Sequence, residues 1–288
     1  MRIAVATDSN SGIKNMENGI FVLPMPFLID GEEFFEGVNL TVEDFFKKQM
    51  SGSDILTSQP NIYNLQTFWS NILNKYDAIV YIPMSGSLSA SVETAKTIAK
   101  YYEYNGKVFV VDNRRISLSQ KQSAYDAVTL VKEGKNPEEI VKYLEDTAAE
   151  NSIYIMVPDL KYLKKGGRIT KTAALIGTLL KIKPVLQIQG GKLDSYAKVL
   201  TVKKARETMI GAIKKDLETR FKKEFEEGRI NISVAYTFDR NIAEDFKAEI
   251  ESSLNAKVDW IEPLSLSISC HIGPNSVAVA LSTIYNND

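Results

Sequence analysis

The sequence predicts an α/β protein of two domains: an N-terminal parallel sheet with flanking helices over residues 1–150, and a C-terminal mixed α/β sheet domain over residues 151–288. Three observations predict it. Through the first half, short apolar runs rich in β-branched residues alternate with segments of helical period, the pattern of parallel strands joined by helical crossovers. After Asn151 the order changes to strand, short helix, hairpin and long helix. A chain of 288 residues also exceeds what one small core needs and is comfortable for two.

Residues 3–6, 78–82 and 108–111 read as buried strands, each an aliphatic run that stops at polar or small residues. Helical period follows the second and third of them, at 89–104 and 117–133. Pro137 with Glu138 and Glu139 opens a helix to about residue 150, since proline is preformed for a first turn and acids suit the positive end of the dipole. In the second half, 153–157 reads as a strand, 161–164 as a short helix, and Lys165-Gly166-Gly167-Arg168 as a basic turn. Small and apolar residues predict a helix at 173–180. Residues 184–188 and 192–199 flank Gly190-Gly191 and read as a β-hairpin. A long amphipathic helix is expected at 202–223. Then come strand, helix and strand at 230–236, 242–254 and 258–261, and a closing strand at 277–281.

Composition narrows the function. Hydrophobic residues make up 44% and charged residues 25%, which excludes disordered and fibrous classes. A formal net charge of −1 gives no bulk attraction to nucleic acid. The single cysteine, Cys270, cannot form an intrachain disulfide and suits a reducing compartment. No secretory signal is visible in Met1–Asp8, and no apolar run reaches the ~18–20 residues that span a bilayer. The expectation is a soluble cytoplasmic protein without a transmembrane segment, its membrane contact limited to transient touching of the surface.

Most routes to catalysis are closed. One histidine, His271, and one cysteine cannot build a multi-histidine metal site or a zinc knuckle. The glycine-rich phosphate loops and the Gly-x-Ser-x-Gly elbow are absent. What remains is hydroxyl-rich loops at strand ends: Thr7-Asp8-Ser9-Asn10-Ser11, Thr57-Ser58-Gln59-Pro60 before a helix, and Ser85-Gly86-Ser87-Leu88-Ser89-Ala90-Ser91. Loops outside the carboxyl ends of strands are where open α/β sheets bind ligands, and a serine loop entering a helix offers hydroxyls and free N–H groups to a small anion. Each loop taken singly is more often a plain N-cap, and three together weigh evenly between the two readings. A lone histidine is more often structural than a ligand. His271 lies in Ser269-Cys270-His271-Ile272-Gly273-Pro274, which reads as a loop and makes a site role open to it.

Together these segments resemble the DegV family of bacterial fatty-acid-binding proteins along nearly the whole chain. The resemblance rests on Asp8-Ser9, on Thr57-Ser58-Gln59-Pro60, and on Ser87-Leu88-Ser89-Ala90-Ser91. It continues through Leu160-Lys161-Tyr162-Leu163-Lys164-Lys165-Gly166-Gly167-Arg168-Ile169, Ile182-Lys183-Pro184-Val185-Leu186 and His271-Ile272-Gly273-Pro274. Any one is weak; six in order are strong. The resemblance implies a fatty-acid tunnel between the two domains. Its carboxylate end would be held by the Thr57 and Ser58 hydroxyls, by Ser89 with the Ala90 backbone N–H, and by His271. It implies no cofactor and no metal, only a bound long-chain fatty acid. In kinase-linked members a separate fatty-acid kinase phosphorylates the bound carboxylate, and Arg168 would face that partner.

The chain departs from the family pattern in places. Where a basic Lys-Val-Arg-Thr-Arg stretch is usual it has Lys198-Val199-Leu200-Thr201-Val202, Asn275 replaces a glycine after Pro274, and Asn113 replaces a serine. Asparagine tolerates a left-handed backbone, so the turn at 275 can survive. Two other functions stay open on these residues. One is a Ser/His-dependent acyl hydrolase or transferase with Ser89 as nucleophile, His271 as base and Asp8 to orient the imidazole. The other is a small phosphosugar- or polyol-binding module.

Overall fold

The computed structural model describes residues 1–167 and 182–286, so the helix expected at 173–180 lies outside the described residues. The chain divides into two compact units, residues 1–41 with 54–149 and residues 42–53 with 150–288.

The first unit holds strands β1 (Ile3–Asp8), β2 (Phe21–Leu23), β3 (Pro26–Ile29), β4 (Glu32–Phe35), β5 (Ile55–Thr57), β6 (Ala78–Ile82) and β7 (Val108–Val110). Four of them form a parallel sheet in the order β2-β1-β6-β7. Every residue of β6 is buried, as its unbroken Ala-Ile-Val-Tyr-Ile run requires of a central strand covered on both faces. Helices Ile62–Leu73, Ser91–Ile98, Leu118–Lys132 and Pro137–Asp146 accompany the sheet. Asn61 caps the first through the Asn64 N–H, and Asn136 with Glu139 forms a reciprocal capping box on the last. The helix expected at 89–104 is shorter, ending at Ile98. The chain then turns so that Tyr104 is buried edge-on to Trp69, with ring centroids 5.5 Å apart, and its hydroxyl pairs with Ser70 at 3.0 Å.

A second, antiparallel sheet in the order β4-β3-β5 is absent from the sequence reading. Its hairpin turns at Asp30 and Gly31, with φ of 53° and 88°, both in the left-handed region that two-residue hairpins require. β5 carries Thr57 at its end, opposite Phe27.

In the second unit β8 (Asn151–Met156), β9 (Lys183–Gln189), β10 (Lys192–Val199), β11 (Ile230–Tyr236), β12 (Trp260–Pro263) and β13 (Val277–Thr283) make one sheet in the order β10-β9-β8-β13-β11-β12. The β11–β12 pair is parallel and the others antiparallel, which makes the sheet mixed as expected. Helices Val202–Glu218 and Arg240–Leu254 place Met209, Ile213, Phe246 and Ile250 in one core cluster with Val185, Val234 and Val279 of the sheet. The helix expected at 202–223 breaks at Thr219, and a short helix Lys222–Glu226 follows. The break turns Phe221 into the core cluster, where it is 3% exposed.

Helix Val42–Ser51 belongs with the second unit, an excursion that a linear division at residue 150 does not contain. The reason is local. Phe45 and Phe46 are buried, Phe46 lies edge-on to Phe238 at 5.3 Å, and Gln49 Nε2 donates to the Ser269 carbonyl at 3.1 Å.

Trp69 is fully buried, edge-on to both Tyr81 and Tyr104. Trp69→Ala is expected to cost about 3–5 kcal/mol of stability, seen as a lower urea midpoint with an unchanged slope.

Candidate functional site

In the first unit the site residues hang on the carboxyl ends of parallel strands. The Thr7 hydroxyl donates to the Ile82 carbonyl at 2.7 Å, tying the end of β1 to the end of β6. From helix Leu118–Lys132 the fully buried Gln120 sends its amide to Thr7 Oγ1 (3.0 Å), Asp8 Oδ1 (3.1 Å) and the Ile82 carbonyl (3.1 Å). Asp8 Oδ1 also accepts from the Asn10 N–H at 3.0 Å, and Oδ2 from the Met84 N–H at 2.9 Å. Burial pushes the Asp8 carboxyl above its ordinary value, while the bonds from Met84, Gln120 and Asn10 pull it down. Both carboxylate oxygens thus tie Asp8 to groups of its own unit, and it clamps the loops at the strand ends.

The Met84 clamp leads into the serine loop. Ser85 is buried, its N–H donates to the Arg115 carbonyl at 2.8 Å, and its own carbonyl accepts from Leu88 and Ser89 at 3.0 and 3.1 Å. Gly86 N–H donates to Asp112 Oδ1 at 3.2 Å. The loop is therefore held on both sides before it reaches Ser89. There the half-buried hydroxyl accepts from the Ser91 N–H at 3.2 Å and pairs with the Ser91 hydroxyl at 2.8 Å, at the N-terminus of helix Ser91–Ile98. The N-cap of that helix is Ala90, without a side-chain cap bond, and the bonds to Ser91 fix the rotamer of the Ser89 oxygen. Ala90 is exposed, and its N–H has no acceptor among the described residues.

The same unit brings the Thr57–Pro60 loop to this helix. Gln59 Oε1 accepts from the Thr94 hydroxyl at 3.0 Å, one turn into helix Ser91–Ile98. Thr57 is half-buried and Ser58 exposed at the mouth of that loop. The Thr57–Pro60 loop is thus bonded to the helix that follows the serine loop. A cleft of ≈ 890 Å³ elsewhere in the unit, lined by Phe21, Phe68, Ile72 and Tyr76, includes none of the candidate ligand-binding residues.

His271 is in the second unit. The sequence reads its segment as a loop; the structure makes Leu266–Ile272 a short helix with His271 in the last turn, half-buried. Ser265 caps this helix through the Ile268 N–H, a signal hidden among the neighbouring serines. Beyond it the turn is stapled to β11: Thr237 Oγ1 donates to the Gly273 carbonyl at 2.7 Å and accepts from the Ser276 N–H at 2.9 Å. Asn275 has φ of 61°, the left-handed conformation that the usual glycine would supply. Arg168 lies outside the described residues. Among those described, no cluster of His, Cys, Asp and Glu is arranged to hold a metal ion, and no helix is long and apolar enough to cross a membrane.

Sequence reasoning missed Gln120, the residue that organises the first unit's strand ends. No pattern singled it out, because Ser119, Gln120, Lys121, Gln122 and Ser123 are all polar and all buried.

Comparison with known proteins places these features in company. The family model described as "Uncharacterised protein, DegV family" matches residues 2–283. The DegV domain-containing protein of Caldanaerobacter subterraneus subsp. tengcongensis is 28% identical over 96% of this chain and 98% of its own. The fatty-acid-binding DegV family protein of Thermus thermophilus superposes with a TM-score of 0.84 at 28% identity, covering 99% of this chain and 100% of its own. The fatty-acid-binding DegV family protein of Streptococcus agalactiae does so with a TM-score of 0.84 at 26% identity, over 99% and 100% of the two chains.

A carboxyl whose value is raised by folding stabilises fully below its unfolded value, and that contribution is lost as pH rises through the folded one. Gln120→Leu raises the folded value of Asp8 further by removing a donor. The variant is expected to lose about 2–3 kcal/mol at neutral pH, and less in acid, where protonation of Asp8 removes the buried charge. Urea unfolding at the two pH values checks this; an equal loss at both would contradict the account of Asp8.

Proposed function

The chain belongs to the DegV family, and from that premise we propose that it is a non-catalytic carrier that binds a single long-chain fatty acid. The observation that carries the reading is the pair of hydroxyl segments in the first unit, joined through Gln59 and Thr94 and fixed by bonds behind Ser85. It is supported by the fatty-acid-binding relatives of Thermus thermophilus and Streptococcus agalactiae, which share the fold over the whole chain. The carboxylate is taken by the hydroxyls of Thr57, Ser58 and Ser89, by the Ala90 N–H and by the His271 imidazole. An anion removed from water loses several kcal/mol unless such donors replace the water, and donors already held in place need no ordering when it arrives. The tail supplies the driving force: a ~16-carbon chain at ~0.8 kcal/mol per methylene is worth at most ~12 kcal/mol before ordering costs.

In the same reading the carrier presents its carboxylate to a separate fatty-acid kinase for conversion to acyl phosphate, with Arg168 facing that partner. The protein then needs no cofactor of its own. Leu200 is 73% exposed and Val202 38% exposed where the family pattern has arginines, so a partner docking there meets an apolar surface on this chain.

Mass spectrometry of an organic extract of the purified protein is expected to find one long-chain fatty acid per chain. Ser89→Ala should retain less of it and bind added oleate about tenfold or more weakly, the worth of one bond to a charged group. An empty extract together with no uptake of palmitate or oleate would overturn the carrier reading.

A further inference from the structure

The two glycines of Gly166-Gly167 answer different demands. Gly167 follows helix Lys161–Gly166 with φ of 64°, and a Cβ there would meet nothing within 4 Å, so it serves the left-handed helix end. Gly166 is the reverse case. It is the last residue of the helix, without a positive φ, where glycine's conformational freedom is not required. Yet a Cβ on Gly166 would stand 2.1 Å from His271 Nδ1 and 2.8 Å from its Cε1, far inside contact distance. The converse holds one turn away. A Cβ on Gly273 would stand 2.3 Å from both Cδ2 and Cε2 of Tyr162, so the tyrosine ring packs close against the turn that follows His271.

We infer that Gly166 and Tyr162 are positioning residues for His271: the missing side chain of one makes the seat of the imidazole, and the ring of the other clamps the turn behind it. The main chain of His271 has little freedom of its own. Gln49 Nε2 donates to the carbonyls of Ser269 and Cys270 at 3.1 and 3.4 Å, Gly273 N–H closes onto the Ser269 carbonyl at 2.8 Å, and Thr237 holds the Gly273 carbonyl at 2.7 Å. A methyl group placed at residue 166 therefore displaces the ring, the movable member of the contact, while both helices stay where they are. The same geometry explains why the Tyr-Leu-x-x-Gly-Gly segment and the His-Ile-Gly segment belong together: each carries the glycine that the other's ring requires. The inference rests on the reading of His271 as a carboxylate ligand.

His271 is the only histidine in the chain, so a sample labelled with 15N-histidine reports on this one imidazole without interference. Gly166→Ala is expected to fold normally, to shift the imidazole 15N and 1H signals, and to weaken oleate binding about tenfold. Combined with His271→Ala it should weaken binding no further than His271→Ala alone. Tyr162→Ala, which adds no atom near the ring, should also shift the imidazole signals and covers the case in which Gly166→Ala does not fold. Imidazole signals unchanged in both variants would overturn the inference whatever the protein binds. So would a loss of oleate affinity in Gly166→Ala that persists undiminished when His271 is absent. If His271→Ala itself binds oleate as tightly as the parent chain, the failure lies in the carboxylate reading of His271, and the functional role inferred here falls with it.

Discussion

Where β1 and β6 stop, the Thr7 hydroxyl oxygen, the Asp8 carboxylate and the Ile82 carbonyl are all acceptors buried away from water, and the Gln120 amide donates to all three. Buried acceptors left unmatched would each cost on the order of 1–3 kcal/mol, more for the carboxylate. This constraint shapes the first unit. It draws helix Leu118–Lys132 onto the strand ends, lets Asp8 reach the Met84 N–H, and so fixes the start of the loop that ends at Ser89. Ser89 lies on the far side of that loop with its own bonds to Ser91 already made. Its position is inherited from the strand ends, and its rotamer from those bonds to Ser91.

The second unit holds its candidate residue by a different means. His271 is at the end of a helix of seven residues, too short to be stable by its own hydrogen bonds. Bonds from Gln49 and Thr237 and the close approach of Lys161–Gly166 hold it instead. Gln49 comes from helix Val42–Ser51, whose buried Phe45 and Phe46 bind it to this unit although the chain on either side of it belongs to the other. The excursion thus supplies a support that residues 150–288 do not contain.

The carrier proposed above asks both arrangements for binding alone. Hydroxyls and N–H groups held by other bonds present a fixed set of donors, which favours an anion that stays. A nucleophile needs a base within reach of it and a third group to orient that base.

The sequence by itself determined the fold class, because strands buried on both faces must be continuously apolar and crossover helices must keep their period. Residues 78–82, the hairpin at Gly190-Gly191 and the proline-opened helix at 137 were legible for that reason. The family and the hydroxyl segments were legible too, through short motifs whose order no single segment carries. Some local signals were present but outweighed: Asp30-Gly31 marks a hairpin whose strands have only four residues each, and Ser265 caps a helix that Gly273 and Pro274 made look like a loop. Tertiary structure alone decided the rest. Phe221 breaks a helix and Tyr104 ends another because each side chain has a place in a core, which period cannot reveal. Helix Val42–Ser51 joins the second unit through two phenylalanines that would have been equally at home in either. That Gly166 lies under His271, 105 positions later in the chain, depends on the packing of two helices, and a space left for another residue's ring has no signature in the residue that leaves it.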